Sequence, residues 1–150
     1  RIMKRIFTDQ QLATLTEAIR MAEHQSTGEI RVHIDQTTTN QTENATDNAS
    51  VAFDVFKSLC MGKTKEKNAV LFHINFHQKY LTIIGDTGIH EKVKQDFWDQ
   101  LHDKTTAEFA NGNYLKGLEK AILETGTELK KHFPIEGENP NELPDEITFS

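Results

Sequence analysis

Cysteine is almost missing from this 150-residue chain, since Cys60 stands alone. An internal disulfide is therefore excluded, which fits a reducing compartment or indifference to redox. Long apolar runs are missing too. No stretch approaches the ~20 residues that span a bilayer, and no signal-like run opens the chain, so the expected address is cytoplasmic, without membrane insertion. Positive charge is in deficit: 17 Lys and Arg face 23 Asp and Glu, giving a net charge of -6 and a pI near 5.6. That balance argues against nucleic acid or an anionic lipid surface as a partner, because both need a concentrated basic patch. Proline occurs only at 134, 140 and 144, so nothing before Pro134 looks like an interdomain linker. The expected organisation is one domain over residues 1–133 and an acidic, proline-containing tail over 134–150.

What is present centres on residues 62–89, GKTKEKNAVLFHINFHQKYLTIIGDTGI. Val70, Phe72, Ile74 and Phe76 alternate with Leu71, His73 and Asn75, and Tyr80 to Ile84 alternates again after His77-Gln78. This is the pattern of a β-hairpin with one apolar face. The turn lacks Asn-Gly or Asp-Gly, so a loop of three to five residues is expected and the register stays open.

Around this hairpin the chain supplies covering helices. Thr8 and Gln11 form a capping box signature behind Phe7, and Leu12, Leu15, Ile19 and Ala22 make a helical stripe. Ser26-Thr27-Gly28 turns into a strand at residues 29–35, with Ile30, Val32 and Ile34 on one side and Arg31, His33 and Asp35 on the other. A polar connection at residues 36–46 follows. It holds two of three Asn-X-Ser/Thr triplets (Asn40, Asn44, Asn48), which without a secretory signal read as ordinary loop composition. A helix is expected over residues 47–61, ending at Gly62, with Cys60 on its buried stripe as a core thiol. Strand, helix, strand makes a right-handed βαβ crossover, so the first strand should run parallel to the Val70 strand. A helix bearing Phe97, Trp98, Leu101 and Phe109, a turn at Asn111-Gly112-Asn113 and a last helix through Phe133 complete the domain. The fold class is α/β: a small mixed sheet of three or four strands with about four amphipathic helices packed on it. The tail is either disordered or pinned down by Leu143, Ile147 and Phe149.

In order, STGEIRVHI, GKTKEKNAVLF, GDTGI, the helix with Phe97-Trp98, and NYLKGLEKAI resemble the TPM domain family over residues 8–133. That resemblance implies a compact α/β domain, an acid phosphatase activity suggested for a plant member, and roles beside membrane-protein complexes. Family members often carry acidic residues in the hairpin turn, where this chain has His77-Gln78.

Catalytic signatures are mostly refused by the residues themselves. Gly62-Lys63-Thr64 ends like a P-loop, but Lys57 replaces the first glycine and the segment precedes a strand. Cys60 has Glu66, not arginine, six residues on, which would repel a phosphoryl group. A Gly-x-Ser-x-Gly elbow, an Asp-x-Asp pair and an Arg-His-Gly triplet are missing.

Two constellations remain. At one sheet end, Glu29, Lys63, Thr64, Lys65, Lys67, Asn68 and the loop Gly85-Asp86-Thr87-Gly88 are expected to converge. Loop oxygens beside lysines suit a divalent cation, calcium or magnesium, a phosphate group, or both. The alternative is an Asx turn at Asp86 with solvated lysines. On the polar sheet face, Arg31, His33, His73, Asn75 and Leu81 share one side, and the two imidazoles are candidates for zinc, though a third ligand is not evident. His24, His90, His102 and His132 read as surface residues near helix ends. Function divides into an accessory or interaction module with a protein partner, membrane-associated in the family's manner, and a divalent-cation-dependent phosphatase acting on phosphate monoesters.

Overall fold

The structure is a computed structural model and describes residues 5–37, 48–135 and 143–150. Most of the polar connection, with Asn40 and Asn44, lies outside the described residues.

The first helix, α1 (Asp9–Glu23), starts where its capping box dictates: Gln11 N donates to Thr8 Oγ1 at 3.1 Å and Thr8 N to Gln11 Oε1 at 2.9 Å. These two bonds satisfy amides that the first turn would otherwise orphan. Leu15, Ala18, Ile19 and Ala22 are buried along its stripe. The chain turns into β1 (Glu29–Ile34), then passes to α2 (Asn48–Ser58), a 3-10 turn (Met61–Lys63) and the hairpin β2 (Ala69–Asn75) and β3 (Tyr80–Gly85). Next come α3 (Thr87–Ala110), kinked at Lys94 with φ 68°, and α4 (Tyr114–His132). A short β4 (Thr148–Phe149) lies near the end.

The sheet has the order β3-β2-β1-β4. β1 runs parallel to β2 and to β4, and β3 is antiparallel to β2, so the crossover and hairpin form as the patterning requires. Four residues connect the hairpin, within the expected length, with Lys79 in the left-handed region. One sheet face carries Ile30, Val32, Ile34, Val70, Phe72, Ile74 and Leu81, and packs with α1, α3 and α4 into the main core. The other face carries a smaller cluster, Ala69 and Leu71 under Phe56 and Met61 of the α2 segment.

α1 and α4 approach closely because Gly126 sits on the backbone of Ala22; a Cβ there would lie 2.6 Å from Ala22 Cα, Cβ and O. The exit of α4 is tied back to the turn before β1 by Thr27 N to Phe133 O at 2.9 Å and Ile135 N to Gln25 O at 3.0 Å.

Three expectations need correction. α2 stops at Ser58, not at Gly62; Cys60 enters the left-handed region (φ 58°) to start the 3-10 turn and is exposed, while Met61 takes the buried place expected for it. Leu81 pairs with Ile74 and so belongs to the apolar face. His90, His102 and His132 are half-buried and partnered: His90 Nδ1 accepts from Trp98 Nε1 at 3.0 Å, His102 Nε2 lies 3.0 Å from Leu81 O, and His132 Nε2 lies 3.5 Å from Glu128 Oε1.

Residues 143–150 of the tail lie against the domain. Leu143 joins the smaller cluster and Ile147 the main core, while Phe149 is 43% exposed.

Candidate functional site

Three strand ends meet beside Ala69: Glu29 is its partner in β1, and Asp86 N donates to Ala69 O at 2.9 Å. Gly88 N donates to Lys67 O at 2.7 Å, drawing the β3–α3 loop onto the loop before β2. Gly88 is required there, because a Cβ would meet Glu66 O at 2.1 Å. Lys67, Asn68 and Asp86 are therefore neighbours by backbone pairing.

Their side chains do not form one ligand set. Asp86 caps α3, its Oδ1 accepting from Thr87 N at 2.7 Å, while its Oδ2 is buried without a partner. Thr64 and Asn68 are buried and serve the loop: Thr64 Oγ1 accepts from Asn68 N at 3.3 Å, and Asn68 Nδ2 donates to Thr27 Oγ1 at 2.9 Å. Lys67 Nζ donates to Gly62 O. Glu29 is fully buried, and its Oε1 accepts from Leu143 N at 3.1 Å, on the side taken by the tail.

What opens to solvent here is a groove of about 440 Å³ lined by Phe53, Phe56, Lys57, Cys60, Lys63, Lys67 and Asp86, among others. Phe53 is 50% exposed, with its ring stacked on Phe56 at 6.3 Å and Lys57 Nζ 5.0 Å above it. One capped carboxylate among three lysines is a poor donor set for calcium or magnesium, which take many oxygen ligands. Among the described residues no three His, Cys, Asp or Glu side chains are arranged to hold a metal.

The polar face brings His33 and His73 together across β1 and β2, rings stacked at 5.3 Å and 11°. Tyr80 stacks on the far side of His73 at 5.5 Å and donates to Asp35 Oδ2 at 3.2 Å. Imidazole lone pairs lie in the ring plane, so two stacked rings cannot both aim at one ion. Moreover, both nitrogens of His33 are engaged, Nδ1 with Thr148 Oγ1 and Nε2 with Ser150 Oγ, each at 2.7 Å. With His33 tied to the tail's hydroxyls and both imidazoles buried, the pair does not suit zinc.

Burial sets the protonation of this row. It pushes His73 down to about 4, helped by neighbouring His33 and opposed by Asp35, and it lowers His33 as well. Burial works upward on Asp35, but bonds from Thr37 and Tyr80 and the nearby His73 bring it below its usual value. Tyr80 is raised by burial and by Asp35.

The sequence reading missed Glu23. Its carboxyl is buried in α1, accepts from Ile30 N at 2.7 Å, and is raised to about 10, by burial first and then by a hydrogen bond with Asp145. A signal existed, because Glu23 stands four residues after Ile19 on the buried stripe.

Comparison with known proteins agrees with this architecture. The structure is similar to the NMR structure of BA42 protein from the psychrophilic bacterium Bizionia argentinensis, with 35% identity, 98% of this chain and 97% of that one covered, and a TM-score of 0.86. The N-terminal domain of a protein from P. gingivalis shares the fold at 16% identity, covering 88% of this chain and 83% of its own, with a TM-score of 0.66. No curated protein sequence matches the chain. Among the described residues, no helix is long and apolar enough to cross a membrane. The family model for the TPM domain matches residues 3–128, and the chain belongs to the TPM domain family.

Proposed function

We propose that this TPM domain is a protein-interaction module whose groove between α2, the Met61–Lys63 turn and the start of α3 takes an acidic segment of a partner protein. The observation that supports this most is Phe53, half exposed in a groove rimmed by Lys57, Lys63 and Lys67 on a chain of net charge -6. An aromatic side chain left in water beside a local concentration of cations is a docking chemistry. The ring anchors by desolvation, and the lysines steer an acidic partner and set its register. Lys63 has no ion-pair partner among the described residues, and Lys57 has only exposed Asp54 at 3.7 Å, so with Asp86 the one carboxylate among the described lining residues, the groove keeps an excess of positive charge.

The test is an amide-shift titration of the labelled protein with a synthetic peptide rich in glutamate and leucine. Saturable shifts are expected at residues 53–67 and 86–87, weakening with salt. Phe53→Ser should weaken binding at least tenfold, equivalent to about 1.4 kcal/mol. No shift at millimolar peptide, or equal binding by Phe53→Ser, sinks the reading. Aryl phosphate turnover that needs added calcium or magnesium and disappears in Asp86→Ala would put the phosphatase reading in its place.

A further inference from the structure

We infer that residues 143–150 are a proton-linked strap: they dock along β1 with a single proton held between Glu23 and Asp145, and are released when that proton leaves. Among the described residues, the polar fastenings of the strap run to α1, β1 or the residues just beyond β1. Leu143 N donates to Glu29 Oε1, Ser150 N to Ile34 O at 3.0 Å, and Gln36 N to Ser150 O at 2.8 Å. His33 holds the Thr148 and Ser150 hydroxyls. The backbone ladder is short, since β4 is two residues long. Seating therefore depends heavily on side chains, and Glu23, Glu29, His33 and Asp145 are all titratable.

Two carboxyl groups with buried oxygens, one of them short of a donor, call for the proton. Glu23 is 3% exposed and its Oε2 is occupied by Ile30 N. Asp145 Oδ1 is a buried acceptor for which the described residues offer no donor. Two carboxylates cannot bond to each other, but a carboxyl and a carboxylate can, and one proton supplies the donor that Asp145 lacks. The other charges at this corner are Glu29 of β1, which disfavours ionised Glu23, and the α1 ion pair of Arg20 with Glu17, whose arginine also attracts Asp145. α4 packs against this corner through Gly126 on Ala22 and Leu129 on Gly28, both uncharged. Around His33 stand Arg31, Asp35 and His73.

Undocking returns Glu23 to water and to the usual carboxylate range. Because docking raises its pKa, the strap's seating is complete below that range and weakens as pH rises toward about 10. The docked-to-undocked ratio falls by up to about tenfold per pH unit. Release lays open the backbone of Ile34 and Gln36 at the sheet edge, together with His33.

Carbon-detected titration of the glutamate carboxyls in the full chain, with amide spectra recorded in parallel, tests this. The Glu23 carboxyl should titrate well above the usual range, and the amides of Leu143 and Ser150 should shift toward disordered positions as it does. Asp145→Asn removes the like charge and should lower the Glu23 midpoint by about one pH unit or more. Glu23→Gln should make the tail amides independent of pH over the same window. Should that core variant fail to fold, the Asp145→Asn midpoint decides alone. A Glu23 carboxyl titrating in the ordinary range, tail amides that stay docked after it ionises, or a midpoint unmoved in Asp145→Asn would each overturn the inference.

Discussion

Replacing Gly126 with alanine sets two known effects against each other. In an ordinary helix interior the change is stabilising, because alanine is favoured over glycine by about 1 kcal/mol. Gly126 has no left-handed φ to protect, so nothing in its own helix forbids a side chain. The obstacle is α1. A methyl at this position lies 2.6 Å from three atoms of Ala22, two of them backbone, against about 3.5–4.0 Å for carbon atoms in good contact. Backbone cannot swing aside as a side-chain tip can. The helices must therefore separate by roughly 1 Å, loosening the seam between Leu15, Ile19 and Ala22 and their α4 counterparts Leu118, Ile122 and Leu129. Overpacking of this kind costs about 1–3 kcal/mol, and the backbone contact places it at the upper end. Net of the helix gain, Gly126→Ala should destabilise by about 2 kcal/mol, lowering Tm by about 4–8 °C for a chain of this size. Urea melts with an unchanged m-value would measure it. A variant as stable as the parent, or more so, would refute the close approach of α1 and α4.

Phe72→Ala should cost about 3–5 kcal/mol in the same urea melt, since Phe72 is fully buried between Val32 and Ile83 on the apolar face; a loss below about 1 kcal/mol would overturn the register. His73 is held neutral by burial, down to about 4, so the folded chain binds fewer protons than the unfolded one and stability should fall as pH drops from the ordinary histidine range toward 4. His73→Gln should flatten that part of the stability profile, and an unchanged acid slope would show that His73 does not cause it.

The fold was legible where one period ruled. Alternation over Val70, Phe72 and Ile74 placed β2, the capping box placed the start of α1, and strand-helix-strand order required β1 parallel to β2. Legibility failed where two local rules competed. Gly62 is a natural helix stop, yet α2 ends at Ser58, because the left-handed Cys60 and the 3-10 turn after it bury Met61 and turn the thiol outward. Leu81 was placed by continuing an alternation across an undetermined turn, and an error of one residue there moves every later side chain to the opposite face.

The candidate sites show a deeper version of the same limit. Register is a property of backbone, so the meeting of Glu29, Asn68 and Asp86 at one sheet end follows from the strands alone. Whether their side chains share a ligand depends on what covers each face, and that cover comes from elsewhere in the chain. Glu29 is claimed by Leu143, and His33 by Thr148 and Ser150, contacts separated by more than a hundred residues that no local period encodes. Glu23 is the instructive case. Its place on an apolar stripe announces a buried carboxyl, and burial announces a missing partner, but only the folded tail reveals that the partner is another carboxylate. A pair of that kind cannot be satisfied by atoms the sequence spells out. It needs a proton, and a group that needs a proton to fit is one whose fit the solvent can withdraw.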